Sequence, residues 1–150
     1  MLQTGDPAPD FTLPDQFGNE LTLSRLLKDG PVVLFFYPAA MTKGCTAESC
    51  HFRDLGREFD AAGAQRLGIS ADPVEKQKQF SDLHGFDYPL VSDVDRTVAE
   101  AYGAKRRLGG LPKRVTFVIG SDGVVKAAIA SEFSMEKHAD EALKVLAAGA

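Results

Sequence analysis

From residue 31 to residue 37 the chain reads PVVLFFY, an unbroken apolar run of β-branched and aromatic residues. With no polar alternation, such a run predicts a strand covered on both faces, as in a parallel sheet. The period then changes. Phe52, Leu55, Phe59 and Ala62 recur at helical spacing and predict one helix over about 43–62. Residues 65–69 predict a second, short strand. Asp72 and Pro73 have the form of an N-cap followed by proline at the first helical position, opening a helix that runs to about His84. Val94, Val98, Ala101 and Tyr102 mark a short helix closed by Gly103. Residues 114–119 and 124–130 flank Gly120-Ser121-Asp122-Gly123 and predict a hairpin. A last helix starts after Ser134 and carries Ala139, Ala142, Leu143 and Leu146 on one face. Upstream, residues 10–13 and 20–23 flank a turn-like stretch and predict a small hairpin. Ser24 then caps a single helical turn through Leu27.

The resulting order is strand–helix–strand, helices, then strand–strand–helix. The first half forms a right-handed parallel crossover. The second half adds an antiparallel hairpin and a closing helix. The expected fold is α/β, with a central mixed sheet flanked by helices and an N-terminal hairpin extension. This is the connectivity of the thioredoxin fold. The 150 residues suit one domain over 1–150, and no repeat, low-complexity tract or linker divides them.

Composition narrows the function classes. Apolar and charged fractions of 44% and 25% are those of a globular chain. The longest apolar stretch, 31–40, falls far short of the roughly 20 residues that a membrane-spanning helix requires. The N-terminal residues carry neither a basic start nor an apolar segment, so a cytoplasmic location is expected and no membrane partner. A net charge of −4 argues against nucleic acid, although Lys105-Arg106-Arg107 and Lys113-Arg114 form a local basic cluster. Only two cysteines are present, Cys45 and Cys50. In a reducing compartment such a pair is more often catalytic or metal-binding than structural.

The chemistry concentrates in residues 37–50, where the buried strand gives way to a helix. Backbone N–H groups at a helix start are unpaired and the dipole there is positive. A thiol in that first turn is pushed toward thiolate, its reactive form. Thr42 stands at a plausible N-cap position with its hydroxyl near the sulfur. Helical phase places Cys45, Glu48, Phe52, Leu55 and Phe59 on the face turned to the protein. Cys50 lies on the solvent side with Arg53 and Arg57. Glu48 reads equally as a pocket residue or as a first-turn acid favoured by the dipole.

Pro38, Thr42 and Cys45 match the P-x-x-x-T-x-x-C motif of peroxiredoxins. With a second cysteine five residues later, the chain resembles the Prx Q subfamily, also called bacterioferritin comigratory proteins. The resemblance continues through Cys50-His51-Phe52-Arg53-Asp54, Gly68-Ile69-Ser70 and Ser92-Asp93. It implies a thiol peroxidase without metal, flavin or haem, acting on hydrogen peroxide and organic hydroperoxides. By the same resemblance Cys45 attacks the peroxide and Cys50 resolves the product as an intramolecular disulfide. Thr42 and an arginine complete the site and Pro38 shields it; Glu48, which shares the face of Cys45, is a candidate for the substrate pocket on that ground. The arginine matches Arg114, with Arg106 and Arg107 as the alternatives. A thioredoxin-type dithiol would recycle the enzyme. Members of the subfamily occur as monomers and as dimers, and a monomer is expected here.

Two other functions compete. A disulfide oxidoreductase would use C-x-x-C, whereas the spacing here is C-x-x-x-x-C. A redox sensor would need a partner that nothing in the sequence identifies. His51 points away from Cys45 on the helix, and Cys45, Cys50, His51 and His84 match no standard zinc spacing. His138, beside acidic residues on the last helix, is expected in solvent.

Overall fold

The computed structural model describes residues 1–106 and 111–149. In chain order its elements are β1 (Thr12–Pro14), β2 (Glu20–Thr22), α1 (Leu23–Leu26), β3 (Val32–Phe36), α2 (Lys43–Asp54), α3 (Gly56–Ala61) and β4 (Gln65–Ser70). They continue with α4 (Val74–His84), β5 (Leu90–Ser92), α5 (Thr97–Ala101), β6 (Val115–Ile119), β7 (Val125–Ala130) and α6 (Met135–Ala147). β1 and β2 pair antiparallel as the expected hairpin. The other five strands form a sheet in the order β5-β4-β3-β6-β7. β3, β4 and β5 run parallel, while β6 and β7 are antiparallel additions. This is the mixed sheet of the thioredoxin-like connectivity. β5 lies outside the elements that the sequence pattern predicts, because a three-residue strand carries almost no periodicity.

β3 is buried at every position, as its unbroken apolar run predicts. Its side chains alternate between two separate cores. Val32, Leu34 and Phe36 join Phe11, Leu23, Leu27, Val98 and Tyr102 on one face of the sheet. Val33, Phe35 and Tyr37 join Phe52, Phe59, Phe80 and Leu146 on the other, and Cys45 belongs to this second core. Burying each large apolar side chain is worth about 1.5–3 kcal/mol. Phe35 stacks on Phe52 at 4.1 Å between ring centroids, which fixes α2 over the centre of the sheet.

Three local expectations are corrected. Thr22, not Ser24, occupies the N-cap of α1. Pro73, not Asp72, is the N-cap of α4, and the Asp72 carboxylate turns to other partners. The helix expected over 43–62 is two helices. The guanidinium of Arg66 enters the junction and donates to the Phe52 carbonyl at 2.9 Å, the acceptor a continuous helix would offer to the N–H of Gly56. A Cβ on Gly56 would stand 3.3 Å from that guanidinium, so glycine leaves the arginine its room. Among the described residues, no helix is long and apolar enough to cross a membrane.

Candidate active site

Register builds this site. Val115 at the start of β6 pairs with Phe36 at the end of β3. The residue before Val115 is Arg114, and the chain leaving Phe36 leads through residues 37–42 into α2. The ladder thus brings Arg114 to the first turn of α2. Arg114 is 7% exposed and Cys45 is fully buried. Arg114 Nη2 lies 3.4 Å from Cys45 Sγ, and its Nη1 donates to Glu48 Oε1 at 3.0 Å. A Cβ on Gly44 would stand 3.1 Å from Nη2 and 3.4 Å from Met135 Sδ, so this glycine keeps open the space the guanidinium uses. Motif reasoning passed over Gly44, because its requirement is set by a residue far along the chain.

Of the candidate arginines among the described residues, the structure places Arg114 against Cys45. Arg106 pairs with Glu132 at 3.2 Å, half-exposed and apart from Cys45. Arg107 lies outside the described residues. Glu132 also accepts the Arg114 backbone N–H at 3.2 Å.

Thr42 is the N-cap of α2 by backbone angle, but its side chain makes no capping bond. Its exposed hydroxyl donates instead to the Ala39 carbonyl at 2.8 Å, which corrects the expected cap. The N–H groups of Lys43, Gly44 and Cys45 precede the first intrahelical bond, Thr46 N–H to Thr42 O at 2.9 Å. Among the described residues, these three donors therefore stand free at the positive end of the helix dipole. Pro38 is half-buried at the loop's start.

Glu48 is fully buried, as Cys45 is, and its carboxyl meets the guanidinium that lies beside the sulfur. Burial pushes its carboxyl up to about 8, with Arg114 opposing the shift. Burial works against the charge of Arg114, but Glu48 and Cys45 outweigh it and raise the guanidinium further. Glu48 Oε2 has no hydrogen-bond partner among the described residues, and His138 Nε2 lies 3.5 Å from it.

His138 overturns its expected place in solvent, for it is fully buried. Its Nε2 lies 2.8 Å from the Ser131 carbonyl, which can only accept, so that nitrogen carries a proton. Its Nδ1 lies 2.8 Å from Thr116 Oγ1. Burial lowers its pKa, and in the neutral ring Nδ1 accepts from the threonine. His138 shares a face with Ala139, Ala142 and Leu146, a spacing that would have revealed it.

Cys50 is half-buried and packs against the core of Cys45, deeper than the solvent position expected. Burial pushes its thiol up. It lines a groove of about 420 Å³ with Ala47, His51, Phe133 and Met135, and Phe133 is 98% exposed. His51 bonds Asp140 at 2.8 Å, and His84 packs against Phe80 and Phe86. Among the described residues, no group of three or more His, Cys, Asp or Glu side chains is placed to hold a metal. A larger cavity of about 520 Å³ lies against α5 and the N-terminal segment, and Cys45 does not line it.

A family model described as AhpC/TSA matches residues 4–128. A Mycobacterium tuberculosis protein named as a peroxiredoxin is 59% identical over 150 residues, covering 98% of this chain and 97% of its own. Peroxiredoxin Q of Sedum lineare chloroplasts is 43% identical over 143 residues, covering 95% of this chain and 76% of its own. Among solved structures, peroxidoxin BcpB of M. tuberculosis superposes with a TM-score of 0.95 at 57% identity, covering 100% of this chain and 99% of its own. A Xanthomonas campestris bacterioferritin comigratory protein, described for its alkyl peroxide reduction activity, gives 0.83 at 35% identity over 92% of this chain and 90% of its own.

Proposed function

The chain belongs to the AhpC/TSA family as a peroxiredoxin of Prx Q type, and we propose that Cys45 and Cys50 carry its thiol-dependent peroxide reduction as a two-cysteine cycle. One observation carries this reading: the Arg114 guanidinium 3.4 Å from Cys45 Sγ at a helix start with unpaired N–H groups. A guanidinium offers fixed donors that can hold the sulfur and both peroxide oxygens. The first-turn N–H groups and the loop of Thr42 and Pro38 orient the substrate. Glu48 acts through Arg114, as a positioning residue rather than a substrate contact.

The Cys45 thiolate attacks the distal peroxide oxygen. The S–O bond forms, the O–O bond breaks, and the leaving hydroxide or alkoxide takes a proton to depart as water or alcohol. Cys45 becomes a sulfenic acid. The Cys50 thiolate then attacks that sulfur, forming the disulfide as the S–O bond breaks, and the departing hydroxide takes a proton to leave as water. A thioredoxin-type dithiol reduces the disulfide by two exchanges. Hydrogen peroxide and organic hydroperoxides are the proposed substrates; the alkyl peroxide activity of the Xanthomonas relative supports the second class.

The resolving step requires α2 to unwind. Residues five apart on a helix are separated by about 7.5 Å along the axis and about 140° around it, which puts their Cα atoms roughly 8.6 Å apart. A disulfide needs about 4.4–6.8 Å. No rotamer closes that gap.

The test is mass spectrometry after one equivalent of peroxide, alongside peroxide consumption with a thioredoxin system. Wild type should lose two hydrogens as the disulfide. Cys50→Ser should gain one oxygen, react with dimedone and fail to turn over. Cys45→Ser should be inert, and turnover by that variant would end the reading.

A further inference from the structure

The loop over 38–42 has a shape it would not adopt alone. Met41 sits at φ 70, a left-handed conformation that costs a non-glycine residue about 1–2 kcal/mol. Something must hold it. On one side, the Thr42 hydroxyl bonds the Ala39 carbonyl. On the other, the backbone N–H of Ala40, a residue 1% exposed, donates to Asp72 Oδ2 at 2.7 Å. Asp72 stands on the connection between β4 and α4, thirty-two positions later in the chain.

Asp72 does not act alone. Its Oδ2 also accepts the Ser70 hydroxyl at 2.7 Å. Ser70 Oγ in turn accepts from Gln77 Nε2 at 2.9 Å, and that nitrogen also donates to the Val91 carbonyl at 3.0 Å. Gln77 Oε1 accepts the Tyr37 hydroxyl at 2.5 Å. Tyr37, Ser70 and Gln77 are all fully buried. The direction of each bond is fixed. An N–H can only donate, so Asp72 accepts from Ala40. With Gln77 Nε2 donating to Ser70, that hydroxyl is free to donate to Asp72. The chain of bonds therefore runs from Tyr37, immediately before the loop, to Ala40 inside it. A satisfied buried network of this kind specifies one geometry, because each lost bond strands a polar group in low dielectric.

We propose that Asp72 is a positioning residue for peroxide reduction, holding the loop over 38–42 so that the first-turn N–H groups of α2 point where the peroxide must lie. This rests on the peroxidase reading of Cys45. Asp72 is remote from the sulfur in role, so its loss disturbs orientation of the peroxide and not the availability of the thiolate. Alkylation of Cys45 by iodoacetamide needs the thiolate but no oriented peroxide. The two reactions should therefore separate.

The test compares wild type, Asp72→Ala and Asp72→Asn. For each, the second-order rate of Cys45 oxidation by hydrogen peroxide is measured by competition kinetics, and Cys45 alkylation by peptide-resolved mass spectrometry. Asp72→Ala should slow oxidation about tenfold, the rate equivalent of one lost hydrogen bond to a carboxylate, and leave alkylation within about twofold. Asp72→Asn should restore oxidation. Its side-chain oxygen can take both bonds, while its amide nitrogen replaces Oδ1, which accepts no hydrogen bond among the described residues and lies 3.8 Å from the exposed Lys76. Unchanged oxidation in Asp72→Ala, equal loss of both reactions, or no rescue by Asp72→Asn would each overturn the proposal. If Asp72→Ala does not fold, Ser70→Ala is the substitute: a split of about threefold or more between the two reactions supports the proposal and no split overturns it. A wild type that reacts with peroxide no faster than free cysteine would sink the peroxidase reading instead.

Discussion

Tyr88→Phe should make the second half of the catalytic cycle faster. The Tyr88 hydroxyl donates to the Ser49 carbonyl at 2.7 Å, in a buried position behind α2. Ser49 lies between the two cysteines, in the turn that must come apart for their sulfurs to meet. The bond exists in the folded helix and is lost when that turn unwinds. Phenylalanine keeps the ring, with its packing on Phe35 and Phe86, and removes only the donor. A net hydrogen bond is worth about 1 kcal/mol, so the balance between folded and unwound α2 should move roughly fivefold toward unwound. With unwinding as a pre-equilibrium, disulfide closure should accelerate by the same factor. Oxidation of Cys45 should stay unchanged, because the folded helix still predominates. Single-turnover mass spectrometry by rapid quench resolves the two steps, and dimedone labelling reports the sulfenic acid lifetime. The reasoning is refuted if Tyr88→Phe lowers global stability by the expected amount while closure keeps its wild-type rate. Closure would then not require the turn at Ser49 to open.

Two further predictions concern the charges behind Cys45. Arg114→Ala should slow sulfenate formation ~10²-fold or more in stopped-flow competition with peroxide, the usual cost of deleting one preorganised electrostatic donor. Glu48→Gln should change the pH dependence of stability. The Glu48 carboxyl is raised from 4.5 to about 8 in the fold, so the folded state holds that proton more tightly than the unfolded state. Its stabilising contribution is complete below pH ~4.5 and declines as pH rises to about 8. Glutamine does not titrate. The difference in melting temperature should therefore shift in the variant's favour across that window, whatever its starting offset, and a flat difference would place the carboxyl's titration elsewhere.

Much of this was legible in the chain itself. The PVVLFFY run announced a doubly covered strand, and the spacing of Pro38, Thr42, Cys45 and Cys50 announced the chemistry. Arg114 could be singled out because it opens the strand pattern over 114–119, where the resemblance places an arginine. What stayed hidden has a common physical form: partners brought together from distant segments. The break after Asp54 depends on Arg66 reaching in from β4. The fixing of Ala40 depends on Asp72, which in sequence looks like an ordinary helix cap. His138 shows a different failure. Its helical spacing with Ala142 and Leu146 points inward, whereas its acidic neighbours along the chain point to solvent, and the packing of the helix face decides.

The alternation of β3 side chains between two cores also bears on how such a catalyst survives its own cycle. Cooperativity in a small protein usually means that loosening one part loosens all of it. Here the sheet works as a firewall. Cys45 and Phe52 belong to one side, while Phe11, Leu23, Val98 and Tyr102 belong to the other. On the near side, Arg66 grips the Phe52 carbonyl just beyond the cysteines and gives the opening a fixed end. In the proposed two-cysteine cycle the fold can thus confine the local opening of α2 to a few residues, with the far core as the template on which the helix re-forms.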